Sequence, residues 1–398
     1  MRTWLGRSQS AVIRILAVVA AIVAAALCGR ADAHPATVLD AGRAVEHVLA
    51  ESRQLYPVCV DGKWGFIDET GTVVVELIYD EGDAMHEGLA AVVHDGKLGY
   101  VNSSGRVVIG LTHESPPRDY TRAFSDGLAW VHVNGRCAAI DRTGRVVIEP
   151  QFDDVAPFSR GRATARVGDR WGYIDRQGKW LAEPLFDYAF SFNSDDKPPL
   201  RAPVRAGDKW GYVDDKGAVV IAPRFDFAAG FYDKITSVRV GDKWGFIDKD
   251  GKYVVEPKYE SAFCFWADWA PVSVDGKWGF IDKTGKLVIK PQFDRASWFI
   301  QGLAHVEFDG KHGFINKQGE FVVKPRFDNA SSFDDSASSF APVELDGKWG
   351  FVDRSGAVVV EPQFERVMDF VGALARVNVD GKAGYIDRTG RLVWEPSK

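Results

Sequence analysis

Across residues 58–396 apolar and polar positions alternate at period two, and no stretch shows the 3.6-residue spacing of a helix. Val272-Ser273-Val274 is one such alternating stretch, and it runs into Asp275-Gly276-Lys277. Asp-Gly between alternating segments predicts a tight hairpin, because glycine accepts positive φ. A second strand over 278–282 follows, then a turn at Asp282-Lys283-Thr284-Gly285 and an apolar run over 287–289. Pro291 is expected to end that third strand, since proline cannot donate to a ladder. The predicted unit is therefore three short strands.

This grammar repeats. Asp61-Gly62-Lys63-Trp64-Gly65-Phe66-Ile67-Asp68 returns as Gly207-Asp208-Lys209-Trp210-Gly211-Tyr212-Val213-Asp214, and almost letter for letter around Trp244 and Trp278. The tryptophan slot falls at 64, 98, 137, 171, 210, 244, 278, 312, 349 and 383, so about ten units follow one another, mostly in steps of 34 residues. Trp64, Trp171, Trp210, Trp244, Trp278 and Trp349 are the structural repeat positions, while Leu98, Cys137, His312 and Ala383 fill the other slots. Glycine follows in nine of the ten, Ala138 being the exception. Downstream stands a phrase such as Glu149-Pro150-Gln151-Phe152-Asp153. A buried Trp contributes a large apolar area, and glycine beside it lets another backbone come close. One unit cannot bury such a face alone, whereas stacked neighbours can.

The K-W-G-[FY]-[IV]-D-x-x-G core with [EK]-P-x-[FY]-[DE] downstream resembles the bacterial WG-repeat (KWG-repeat) family. The likeness covers roughly residues 56–398 and is weakest at Lys97-Leu98-Gly99-Tyr100 and Arg136-Cys137-Ala138-Ala139. It implies a β-rich repeat array and no defined reaction. The expected fold is all-β: tandem ~34-residue three-stranded repeats in an open superhelical, solenoid-like array. Ten units exceed the four to eight blades usual in a propeller, so a closed β-propeller is the alternative.

Residues 1–33 read as a signal peptide. Arg2 and Arg7 precede an uncharged apolar run over 15–27, and Ala31-Asp32-Ala33 fits a cleavage site near Ala33. That run is short for a membrane-spanning helix, and Leu27 before Cys28 does not suit a lipoprotein signal. The expected location is secreted or periplasmic, with no membrane insertion after cleavage. Residues 34–55 carry Val38, Leu39, Val45, Val48 and Leu49 at helical spacing and read as a short capping helix, with partner binding as its alternative.

Composition narrows the function. Cleavage leaves 45 basic against 54 acidic residues, a charge of −9 with no basic block, which argues against nucleic acid. Cys59, Cys137 and Cys264 match no metal motif; buried thiols are the expectation, and one disulfide among them stays open. The repeated acid at Asp68, Asp141, Asp175, Asp214, Asp248, Asp282, Asp353 and Asp387, with Asn102 and Asn316 in its place twice, reads as a turn-former rather than a catalyst or calcium ligand. No nucleophile elbow, phosphate loop or paired-histidine ligand spacing occurs, so neither enzyme activity, metal nor cofactor is expected. Longer steps add residues near 113–120, 193–200 and 334–339, a candidate working face. Trp266 and Trp298, taken as extra aromatics one unit apart, are the candidate ligand-binding residues, a stacking platform for a sugar ring or peptide side chain. The expected function is an exported scaffold that binds protein or cell-envelope polymer. The alternative is a glycan-acting envelope enzyme with its acids in the inserted loops.

Overall fold

A computed structural model describes residues 53–116, 120–333 and 340–395. The signal segment and nearly all of the expected capping helix lie outside these residues. The described chain is all-β apart from one 3-10 turn at Tyr120–Arg122.

The seventh unit shows the plan. Its strands are Ser261–Ala262, Trp269–Val274, Lys277–Asp282 and Leu287–Phe293, joined as an antiparallel meander in chain order. Two corrections to the expected unit follow. A two-residue first strand makes it four-stranded, and the last strand does not stop at Pro291 but bulges there. Trp278 faces Phe293 and Phe280 faces Ile289, so Gly279 alone spans what residues 290–292 span opposite. A Cβ on Gly279 would lie 2.5 Å from the Ile289 carbonyl oxygen and 2.6 Å from the Pro291 nitrogen. The Trp-Gly pair and the downstream proline are thus two halves of one β-bulge. In the third unit Ala138 is accommodated with the register unchanged, where the small Ala139 stands in place of the usual ring.

The hairpin turn takes Asp275 at φ 51° and Gly276 at φ 71°, as its type I′ geometry requires. In the second turn Asp282 Oδ1 accepts from the Thr284 N–H (2.8 Å), the Thr284 hydroxyl (2.6 Å) and the Lys286 N–H (3.1 Å). The other seven acids and both asparagines at this position accept from the same backbone sites.

Each sheet has two apolar faces. Phe280, Ile289 and Phe293 on one face pack against Ala304, Val306 and Ile315 of the next unit. Phe280 is wholly buried, whereas Trp278 is half-buried, and so are Trp64, Trp171, Trp244 and Trp349. The deepest ring in the unit is therefore the aromatic two residues beyond the tryptophan slot. Trp210, at 9% exposure, is the best covered of the six indoles.

The units stack in a solenoid-like array, and the two ends of the stack meet. Tyr385 of the last unit packs with Tyr56, Val58 and Ile67 of the first, repeating the contact made between any two successive units. Gly71 lies against Val393 as Gly390 lies against Val360. The Tyr385 hydroxyl donates to the Pro57 carbonyl (2.9 Å), and the Ala373 N–H donates to the Tyr56 hydroxyl (3.0 Å). The sheets do not merge into a barrel; side-chain packing makes this closure. The ring alternative describes the meeting of the ends.

Phe280→Ala is expected to lower stability by about 3–5 kcal/mol. Trp278→Ala should cost clearly less, because its indole is already part-wetted. Denaturant titration of the two variants reads the difference, and equal costs would contradict the assignment of the deep ring. Tyr56→Phe is expected to cost about 0.5–1.5 kcal/mol and to speed amide exchange at Ala373. Unchanged exchange there would show that the ends do not meet in solution.

Candidate functional site

The acid after each Phe or Tyr in the downstream phrase ties units together. Asp226 accepts from Lys209 of its own unit and, through Oδ2, from the Gly241 N–H of the next hairpin (2.7 Å). Asp80, Asp187 and Asp328 make the same two kinds of contact. Asp80 also stands with His94 and Asp95 in the one group of three ligand-type side chains close enough for a metal among the described residues. The Asp80 carboxylate there is already held by Lys63 and a backbone N–H.

The insertion near 193–200 takes up Asp196. Asp196 is wholly buried and bound by the Lys249 ammonium, which also reaches the carbonyls of Lys197 and Pro199. Burial pushes the Asp196 carboxyl up, against the pull of Lys249. This inserted loop is a staple onto a neighbouring turn. Residues 334–339 lie outside the described residues. Cys59, Cys137 and Cys264 are free thiols, the first exposed and the others buried.

The open feature is aromatic. Trp171, Tyr188, Trp210, Phe227 and Trp244 follow one another with ring centroids 5.6–6.0 Å apart, crossing from sheet to sheet. Phe190 lies stacked on Trp210 at 5.2 Å, and Phe263 on Trp278 at 5.2 Å. Phe190 and Phe263 are 39% and 40% exposed. Phe227, Trp244, Phe263, Trp278 and Trp298 line a groove of about 380 Å³, with Ser237 and Ser261 as polar points.

The structure separates the two indoles expected to form a platform. Trp298 lines the groove 5.0 Å from Phe263, its Nε1–H donating to the Cys264 carbonyl (2.8 Å). Trp266 lies elsewhere, edge-on to Tyr232. They do not occupy equivalent positions. A 34-residue step carries Trp298 to Cys264 and Trp266 to Ile300, so they flank the regular aromatic on opposite sides. Phe263 belongs to an aromatic cluster that stands out in the sequence beside Trp266, whereas Tyr188, Phe190 and Phe227 do not stand out. Aligning the units on the Phe-Asp phrase would have found them, because other units place Asp154, Arg295, Asn329 or Arg366 at the Tyr188 position.

A larger cavity, about 930 Å³, is lined by residues of the first four units and the last, including Trp64, Phe124, Pro157, Met368 and Tyr385. In these units Gly82, Asp83, Met368 and Asp369, on or next to the first strand, line the cavity. Arg122, buried beside it, is bound by Asp83 and Glu81. Gln54 and Leu55 also line the cavity.

His312, in its tryptophan slot, stacks on His305, with Nδ1 and Nε2 2.7 Å apart. Burial, then the neighbouring imidazole, brings His305 down to about 4, and burial lowers His312.

The chain belongs to the WG-repeat family. The family described as "WG containing repeat" matches residues 64–97, 139–171, 171–210, 210–244, 244–278, 278–311, 313–349 and 349–382. The unmatched stretch between 97 and 139 holds the divergent second and third slots, which the structure nonetheless builds on the same plan. No curated protein sequence matches the chain. Among solved structures, a crystal structure of a eukaryotic initiation factor is similar at 9% identity and TM-score 0.49, covering 86% of this chain and 95% of that one. Apo AztD from Citrobacter koseri is similar at 12% identity and TM-score 0.34, covering 87% and 93%. Kluyveromyces lactis Hsv2p is similar at 10% identity and TM-score 0.31, covering 58% and 72%.

The histidine pair has a pH consequence. A base whose folded pKa is depressed contributes stability above its ordinary pKa of about 6.5 and loses it as pH falls toward the folded value. Stability is therefore expected to decline from about pH 6.5 toward 4, and His305→Phe should remove that part of the decline. Melting temperatures across this range check it; identical slopes in both proteins would refute it.

Proposed function

We propose that this chain is an exported, non-catalytic scaffold, secreted or periplasmic, that binds protein or cell-envelope polymer along its aromatic strip. The observation that carries this reading is the exposure of Phe190 and Phe263, each stacked on an indole beneath. A ring held by a second ring offers a rigid flat face at little entropic cost, suited to a sugar face or a planar peptide side chain. The disposition of the acids supports the non-catalytic part. They stand one per turn and are bound to backbone N–H groups, while Asp196, in an inserted loop, is bound to Lys249.

The test is co-sedimentation of the mature protein with purified envelope material, against a Phe190→Ala/Phe263→Ala variant. Both side chains are exposed, so the variant is expected to fold. Loss of two stacking faces should weaken binding about tenfold or more, at roughly 1.4 kcal/mol per factor of ten. Equal retention of both proteins would remove the strip from the function.

A further inference from the structure

In the fourth to tenth units the first strand carries a residue directly opposite one on the second strand, and this pair varies along the array. In the fourth unit it is Asp154 opposite Arg166, and the two form an ion pair at 3.4 Å. In the eighth unit the polarity is reversed, with Arg295 opposite Glu307, again an ion pair at 3.4 Å. In the fifth and sixth units the arginine is kept but the acid is not: Tyr188 faces Arg205, and Phe227 faces Arg239.

These two arginines are consequently left short of partners. The Nε atoms of Arg205 and Arg239 are buried without a hydrogen-bond partner, and no carboxylate pairs with either guanidinium among the described residues. The acids nearest along the chain are engaged elsewhere: Asp187 by Arg170 and the Gly207 N–H, Asp226 by Lys209 and the Gly241 N–H. Asp226 does feel the Arg239 charge, after the larger effect of Lys209. Across the ladder on the other side stand Trp210 and Trp244, and beside them the exposed faces of Tyr188 and Phe190. A part-buried arginine without its acid is costly unless a ligand supplies the anion.

We propose that Arg205 and Arg239, with Tyr188, Phe190 and Phe227, form a binding site for an anionic polysaccharide, a glycan bearing carboxylates on its rings. This rests on the reading of the aromatic strip as a binding surface and names the ligand class for it. Charge complementarity selects the anion, since each guanidinium offers a planar fork of donors to a carboxylate. The aromatic faces select rings between the charges. The two arginines sit on successive stacked sheets, about 10 Å apart at ordinary sheet spacing. Carboxylates on alternate sugar rings fit such a step, and a polymer can engage both at once.

The test is titration calorimetry of the mature protein with polygalacturonate, neutral dextran and poly-glutamate at low and high salt. Polygalacturonate is expected to bind tightest, with affinity falling as salt rises. Arg205→Gln and Arg239→Gln should each weaken it about tenfold or more. Tyr188→Asp and Phe227→Asp restore the pairing seen at Asp154 and Arg166, so they should fold normally and still abolish polygalacturonate binding. Wild-type affinity in the two aspartate variants, or equal binding of polygalacturonate and dextran, overturns the proposal. Tighter binding of poly-glutamate transfers the site to acidic peptides and also overturns it. If the arginine variants bind normally while Phe190→Ala/Phe263→Ala does not, the ligand class is wrong and the aromatic strip stands. If only the arginine and aspartate variants lose binding, the reverse holds.

Discussion

Every unit in this array has two apolar faces and no interior of its own. Phe280 is fully buried only because the next sheet lies on it, and the same holds for Phe246 and Phe314. Burying such a ring is worth about 1.5–3 kcal/mol, and most of that is realised between units. Stability in such a system is a sum of units and nearest-neighbour interfaces, which leaves an exposed face at each end of an open stack. Here the Tyr385 face of the last unit covers the Tyr56 and Val58 face of the first, so one further interface of the common kind replaces two wetted ends.

The same constraint explains which residues recur. Gly279 is required by the backbone opposite, since the Ile289 carbonyl occupies the space a Cβ would take. Pro291 suits the bulged strand, where no ladder partner needs its missing N–H. Asp282 organises a turn, and Asp294 binds Lys277 beside it. The tryptophan, the most conspicuous letter of the repeat, contributes less burial than the aromatic two positions later. It lies over the seam near the first strand, half covered, where its ring can support a second ring from above.

Much of this was legible in the sequence. The period, the hairpin and turn residues, the role of the repeated acid and the need for neighbours follow from glycine, proline and alternation. Two things were less so. In the seventh unit and most others the first strand is two residues long, too short to show periodicity, so Ser261–Ala262 read as connection. The site grows from that strand, which is why Tyr188 and Phe227 escaped notice while Trp266, a more conspicuous letter, drew attention. The meeting of the ends was legible only as an alternative, because curvature accumulates from small rotations between sheets that no single residue encodes.

The division of labour inside the unit bears on where binding can arise. Positions facing a neighbouring sheet are fixed by close packing, and changes there are felt at once. The paired position on the first two strands is different. It carries Asp154 and Arg166 in one unit, two serines at Ser261 and Ser273 in another, and Arg295 and Glu307 in a third, all at unchanged register. The packing therefore tolerates many different residues there. Arg205 and Arg239 stand there in two successive units with their Nε atoms buried and unpaired, near the exposed Tyr188 and Phe190. A buried, unpaired Nε–H costs the stack free energy that a smaller neutral residue would not. The proposed carboxylate ligand would supply the missing acid.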